Sequence, residues 1–299
     1  MSPTWWVVDL VGAMLGVWAV RNLSRRRVNT IPLSCKEQAV RDVARNVGRI
    51  VAPEQALKRA LCVTALTVRG DLESRTRMAR ENVEPHKVHE LASLNSDHSE
   101  SLNAWLRSQG LWQCLSGRET RLMSAPLASW TQQEITESTH RREASGAIGW
   151  AIGLLPSMPA WDTCFDGECL PEALGLARPI AETRQRLWPR PQEDIQQARD
   201  TAELWLWRAR TRQLMKDNPT CPMPQGMTFE KILLLTAQAA KESGLLQPID
   251  NDFPALGKAY RDLTDPQWST LHNIAYQRLH ALNWLCSYSD DWDNVPCHT

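Results

Sequence analysis

Residues 202–212 read AELWLWRARTR, which sets Glu203, Arg208 and Arg212 beside Trp205 and Trp207. Guanidinium groups interleaved with aromatic rings suit a single-stranded nucleic-acid platform, a bound anion or a partner's carboxylate. Helical geometry separates these. At about 100° per residue, Ile195, Ala198, Ala202, Trp205, Leu206 and Ala209 cover one face, and Leu204, Trp207, Thr211 and Leu214 the opposite one. The two tryptophans then point roughly 200° apart and cannot stack on one ligand strand. Arg199, Arg210 and Glu203 fall in one seam, Arg208 and Arg212 in the other. Like charges at i, i+4 repel mildly unless an anion lies between them. A carboxylate of the same chain is the preferred anion, with a phosphate ligand or a partner protein as alternatives.

Other residue sets could do chemistry, and each has a plainer explanation. His86 and His89 sit one helical turn apart, near Glu90, Asp97 and His98, but in a polar stretch where exposed histidines are common. They are weak candidates, and no metal site is expected. Neither Asp162, Asp166 and Glu168 nor Asp290, Asp291 and Asp293 reproduces the spacing of a calcium loop. Glu119 and Glu134 stand three residues after Ser116 and Thr131, the capping-box spacing, so helix starts account for them better than acid–base catalysis. Ser145 lies in EASGA, which is no nucleophile elbow, and neither a phosphate loop nor a dinucleotide fingerprint is present. No cofactor is expected, and the balance leans away from an enzyme.

Composition bounds the rest. Lys+Arg and Asp+Glu both number 34 in 299 residues, so no chain-wide field draws the protein to polyanions, and nucleic acid is not an expected partner. The 14 tryptophans, against 3 Tyr and 3 Phe, read as core anchors of a helical protein. None of the 8 cysteines forms a CxxC pair, which fits small buried hydrophobes in a reducing compartment.

Apolar spacing of three and four residues recurs through 56–65, 102–106, 228–243 and 266–286, with Gly244 as a stop and Asp265 and Pro266 as a start. GAIGWAIG, at 146–153, predicts a close helix crossing on its glycine side. Prolines punctuate an irregular stretch from 156 to 191, and 217–227 forms a second loop. No alternating β-branched runs occur. The expected class is all-α, a multi-helix globular domain with an N-terminal apolar helix.

That N-terminal segment, WWVVDLVGAMLGVWAV followed by RNLSRRR, is barely long enough to span a bilayer when counted over residues 3–23. The arginines after it place the body of the protein in the cytoplasm, on the inner face of the membrane. Asp9, Gly12 and Gly16 share a helix face, where the two glycines allow another helix to approach. Asp9 is costly in lipid, so a buried or interfacial helix is the alternative to an anchor.

The carboxyl end, QRLHALNWLCSYSDDWDNVPCHT, resembles the closing segment of the bacterial family known as domain of unknown function 4272. The resemblance is carried by Arg278, Ala281, Leu282, Asn283, Trp284, Leu285, Trp292, Asp293 and Thr299. Gln277 and His298 depart from its pattern. Glu203, Trp207 and Arg208, the GLW at 110–112 with Glu119, and IGWAIG also look like that family. The resemblance covers about 54–299 and implies a boundary there, leaving 1–27 as the apolar helix with its basic flank and 28–53 as linker and helix. It implies fold and boundaries without an activity. Arg278 and Asp293 join Arg208, Arg212 and Glu203 as anion- or partner-binding candidates. The expected function is a helical protein-interaction module, membrane-tethered, in a specific form an immunity-type protein that binds a toxin. The alternative is an enzyme on an anionic small molecule held by Arg208 and Arg212.

Overall fold

In ALKRALCVTALTV the apolar residues recur until hardly any side of a helix is left polar. A helix of that kind belongs at the centre of a domain. The computed structural model, which describes residues 49–82, 85–219 and 227–297, places it there. Helix α1 (Pro53–Asn82) is buried on every side across residues 60–67. Each leucine so buried contributes about 1.5–3 kcal/mol. Beyond Val68 the buried set narrows to a single stripe through Leu72, Thr76 and Ala79, which faces the returning helix α2 (Pro85–Ser108).

Helices α3 (Gly117–Ser124) and α4 (Gln132–His140) open with reciprocal capping boxes, Ser116 with Glu119 and Thr131 with Glu134. Helix α5 (Arg142–Ala151) follows at once. The proline-punctuated stretch holds only the short α6 (Leu170–Ala173) and α7 (Ile180–Gln185). Then come α8 (Gln192–Asp217), α9 (Phe229–Glu242) and α10 (Asp265–Leu285). Helix α1 packs on α5, α5 on α10 and α10 on α8, with α4 lodged against α1 and α10. The body of the protein is mostly helical. The segment with Asp9, Gly12 and Gly16 lies outside the described residues, and no described helix is long and apolar enough to cross a membrane.

The structure differs from the sequence reading at four places. Helix α2 begins at Pro85 rather than near residue 100, because the part before residue 100 meets α1 through polar pairs. Asn95 donates to Thr76 at 2.9 Å and Arg69 to Ser99 at 2.8 Å, so no apolar stripe marks it. The cap of α10 is Thr264, whose box partner is Gln267, and Asp265 is already helical. A minimal hairpin, β1 (Pro254–Ala255) and β2 (Lys258–Ala259), interrupts the helices, its turn made by Leu256 and Gly257 at φ of 52° and 75°. Finally, the glycines of α5 admit side chains rather than a crossing helix on that side. The Phe165 ring lies against Gly146 and Leu174 against Gly149.

Gly153 ends this run at φ +78°, with the Trp188 carbonyl where a Cβ would stand. Gly153→Ala combines left-handed strain with a backbone clash, so a loss of about 1–3 kcal/mol is expected. An unchanged melting temperature would contradict this.

Candidate functional site

Arg208 lies at the middle of α8, 1% exposed, where an uncompensated charge would be untenable. Its Nε and one Nη donate to the two carboxylate oxygens of Asp252, both at 2.6 Å. The chain is shaped to deliver that carboxylate. Asp250 and Asn251 take positive φ of 48° and 62°, and a bridge from Ile249 to Asp252 closes the turn. Asp252 also accepts from its neighbour Phe253 N at 2.7 Å and from Arg261 N at 3.0 Å. Burial alone would push this carboxyl up, but the Arg208 bonds and charge outweigh it and hold it below the ordinary range. The Tyr260 ring lies 4.6 Å from the guanidinium carbon.

Arg212, one turn on, donates to the carbonyls of Leu263 (2.6 Å) and Tyr260 (3.4 Å) and to Asp265 at 3.3 Å. Asp265 takes Lys216 as well, at 2.7 Å. The anion between Arg208 and Arg212 is thus replaced by one carboxylate for each, both from the chain itself. Glu203 turns the other way and pairs with Arg199 at 2.7 Å, while Arg199 Nε reaches Asn283 at 2.8 Å. Arg278, fully buried, meets Glu143 at 2.9 Å and the carbonyls of Pro159, Ala160 and Thr163. Arg208, Arg212 and Arg278 brace the helices against the irregular segments, and Arg199 ties α8 to α10. Each donates to groups of the same chain.

The tryptophans of the opening stretch are buried, as their two faces require. The opposed directions do not keep them apart, however. Phe253 lies 5.4 Å from Trp205 and 6.3 Å from Trp207, because the hairpin segment wraps over the helix and long rings reach around it.

Asp293 lies elsewhere, on the rim of a cleft of about 370 Å³. The first turns of α1, the turn at 114–117 and the closing residues 290–293 form its walls. Behind it sits Glu119, 1% exposed, which does more than cap a helix. One of its oxygens accepts from Ser116 N at 2.8 Å and from Arg59 at 2.6 Å, and the other faces Arg141 at 3.8 Å. His280 and Trp292 meet edge to face, 4.5 Å between centroids, and burial lowers the His280 imidazole to about 4, so it is neutral at pH 7. Nothing in the sequence pointed to Arg59, Arg141 and His280, which come from α1, the junction of α4 and α5, and α10.

The metal candidates are described only in part. His89 is exposed, the His86 side chain lies outside the described residues, and among the described residues no three His, Cys, Asp or Glu are placed to hold an ion. Trp188 is unlike the other described tryptophans. It is 81% exposed, while its N–H is fastened to Ile152 O at 3.0 Å. Two residues on, Arg190 N bonds Ala151 O, and its guanidinium takes the carbonyls of Trp150, Leu155 and Pro156. A rigid backbone therefore holds this ring out in water. Counting tryptophans as core anchors missed it, although the prolines on its C-terminal side were visible.

Comparison with known proteins gives one finding. The family described as a domain of unknown function (DUF4272) matches residues 22–235. The chain belongs to this family. No curated protein and no solved structure matches it. The DUF4272 match starts well before residue 54 and stops inside α9, so it holds Glu119, Glu203, Arg208 and Arg212 but not Arg278 or Asp293. The closing segment on which the resemblance chiefly rested lies beyond the matched range.

Proposed function

We propose that this DUF4272 chain is a non-enzymatic helical module that binds another protein through Trp188. Residues 3–23 tether it to the cytoplasmic face of a membrane in this reading, which rests for that part on hydropathy and the arginines that follow. The observation that carries the proposal is the 81% exposure of Trp188 on a fastened backbone. Tryptophan and arginine dominate binding energies at protein interfaces, and a ring already held in place costs little entropy to dock. The immunity-type form rests on the tethered-domain analogy alone. An enzyme using Arg208 and Arg212 on an anionic substrate would need an open cleft beside them, and the pairing with Asp252 and Asp265 counts against it.

The test is affinity capture from native membranes with the wild-type chain and Trp188→Ala. Removing an exposed ring changes stability by no more than about 0.5 kcal/mol. It weakens a hot-spot contact by about 2 kcal/mol or more, roughly 30-fold. A stoichiometric protein partner held by the wild type and lost by the variant is expected. Recovery of none, or equal recovery by both, overturns the proposal.

A further inference from the structure

The cleft beside Glu119 has walls of opposite sign. Helix α1 contributes Lys58 and Arg59, and the closing turn contributes Asp290, Asp291 and Asp293, of which Asp291 is engaged in capping its own turn. Lys58 and Asp290 make no ion pair within 4 Å among the described residues, although both border the same space of about 370 Å³. That volume is at the small end of ligand pockets. Trp292 borders the cleft with its ring against the Arg59 guanidinium, 5.1 Å from centroid to carbon. Its Nε1, on a side chain 3% exposed, has no hydrogen-bond partner among the described residues. Buried polar groups in native proteins are nearly always answered, so an unanswered donor on a ring that walls the cleft points to a polar occupant.

The charges select that occupant. A simple anion drawn to Lys58 and Arg59 meets the aspartates opposite, and a simple cation drawn to the aspartates meets Lys58 and Arg59. A molecule carrying both charges satisfies both walls. We propose that this cleft binds a small zwitterion with ammonium and carboxylate groups, its carboxylate toward Lys58 and Arg59 and its ammonium toward Asp290 and Asp293. The Trp292 wall takes the carbon chain between them. This site shares no residue with the Trp188 projection, and its success or failure is independent of that reading.

The test is calorimetric titration of the full chain with glycine, β-alanine, γ-aminobutyrate and ε-aminocaproate, a series of increasing charge separation. Matched alkylamines and alkyl carboxylates serve as single-charge controls. At least one zwitterion is expected to bind with Kd below about 1 mM, an ordinary weak small-molecule affinity. The controls are expected to bind at least tenfold more weakly. Lys58→Met and Asp290→Asn should each weaken the best ligand at least tenfold while leaving the melting temperature unchanged. Absence of binding across the series at 10 mM, controls that bind equally well, or variants that bind like the wild type overturns the assignment.

Discussion

Asp252→Ala is expected to destabilise the folded chain by about 3–5 kcal/mol, because it leaves the Arg208 guanidinium buried with no counter-charge. The pair is bidentate at 2.6 Å and both side chains are 1% exposed, so solvent cannot substitute for the lost carboxylate. The amides of Phe253 and Arg261 lose their acceptor in the same change. Urea unfolding measures the loss, and a change under about 1 kcal/mol would show that the clamp does not hold the hairpin segment to α8. The double variant Arg208→Met with Asp252→Leu separates charge from packing. Replacing both members by apolar groups of similar size is often neutral, so most of the stability should return. The pH dependence has a definite sign. A carboxyl held low in the fold contributes stability that is complete above its unfolded value of about 3.9 and is lost as pH falls through the folded value. Wild-type stability should therefore drop below about pH 4 more steeply than that of Asp252→Asn.

Some of this structure was legible in the residues and some was not. The two capping-box signals held. Ser116 and Thr131 announce their helices because the box needs only a hydroxyl and a carboxylate three residues later. The central burial of α8 followed from two apolar faces at helical spacing. The same local logic failed for α2 before residue 100, where Asn95 bonds Thr76 and Ser99 bonds Arg69 of α1. Hydrophobic periodicity cannot register an interface made of hydrogen bonds. The β-hairpin is too short to alternate. The partners of the arginines were beyond reach for a different reason. Asp252 is 44 residues from Arg208, and Glu143 is 135 from Arg278, so only the fold brings them together. Glu119 shows how a correct local explanation can hide a second role. The capping box accounts for one of its oxygens, while Arg59 and Arg141 arrive from α1 and the α4–α5 junction, about which the spacing says nothing.

Arg278→Ala should be the most disruptive single change in the closing helix, with a loss of at least about 4 kcal/mol. One guanidinium answers four groups there: the Glu143 carboxylate at 2.9 Å and the carbonyls of Pro159, Ala160 and Thr163 at 2.7–3.1 Å. The irregular stretch after α5 has little secondary structure of its own, so those carbonyls are what tie it down. Its rings add to the grip, since Trp161 and Phe165 each lie 5.1 Å from the guanidinium carbon. Lysine carries the charge but not the planar fork that reaches several acceptors at once, so Arg278→Lys should recover less than half of the loss. Glu143→Gln should be milder than either. Burial pushes the Glu143 carboxyl up against the pull of Arg278, and the amide keeps one acceptor oxygen for either Phe165 N or the arginine, so only one of the two bonds is lost. Limited proteolysis distinguishes this local role from general weakening. In Arg278→Ala, cleavage should begin within residues 156–169, where the released carbonyls lie, before the helices are cut. If first cleavage falls in α1 or α8 instead, Arg278 supports the bundle as a whole rather than that segment.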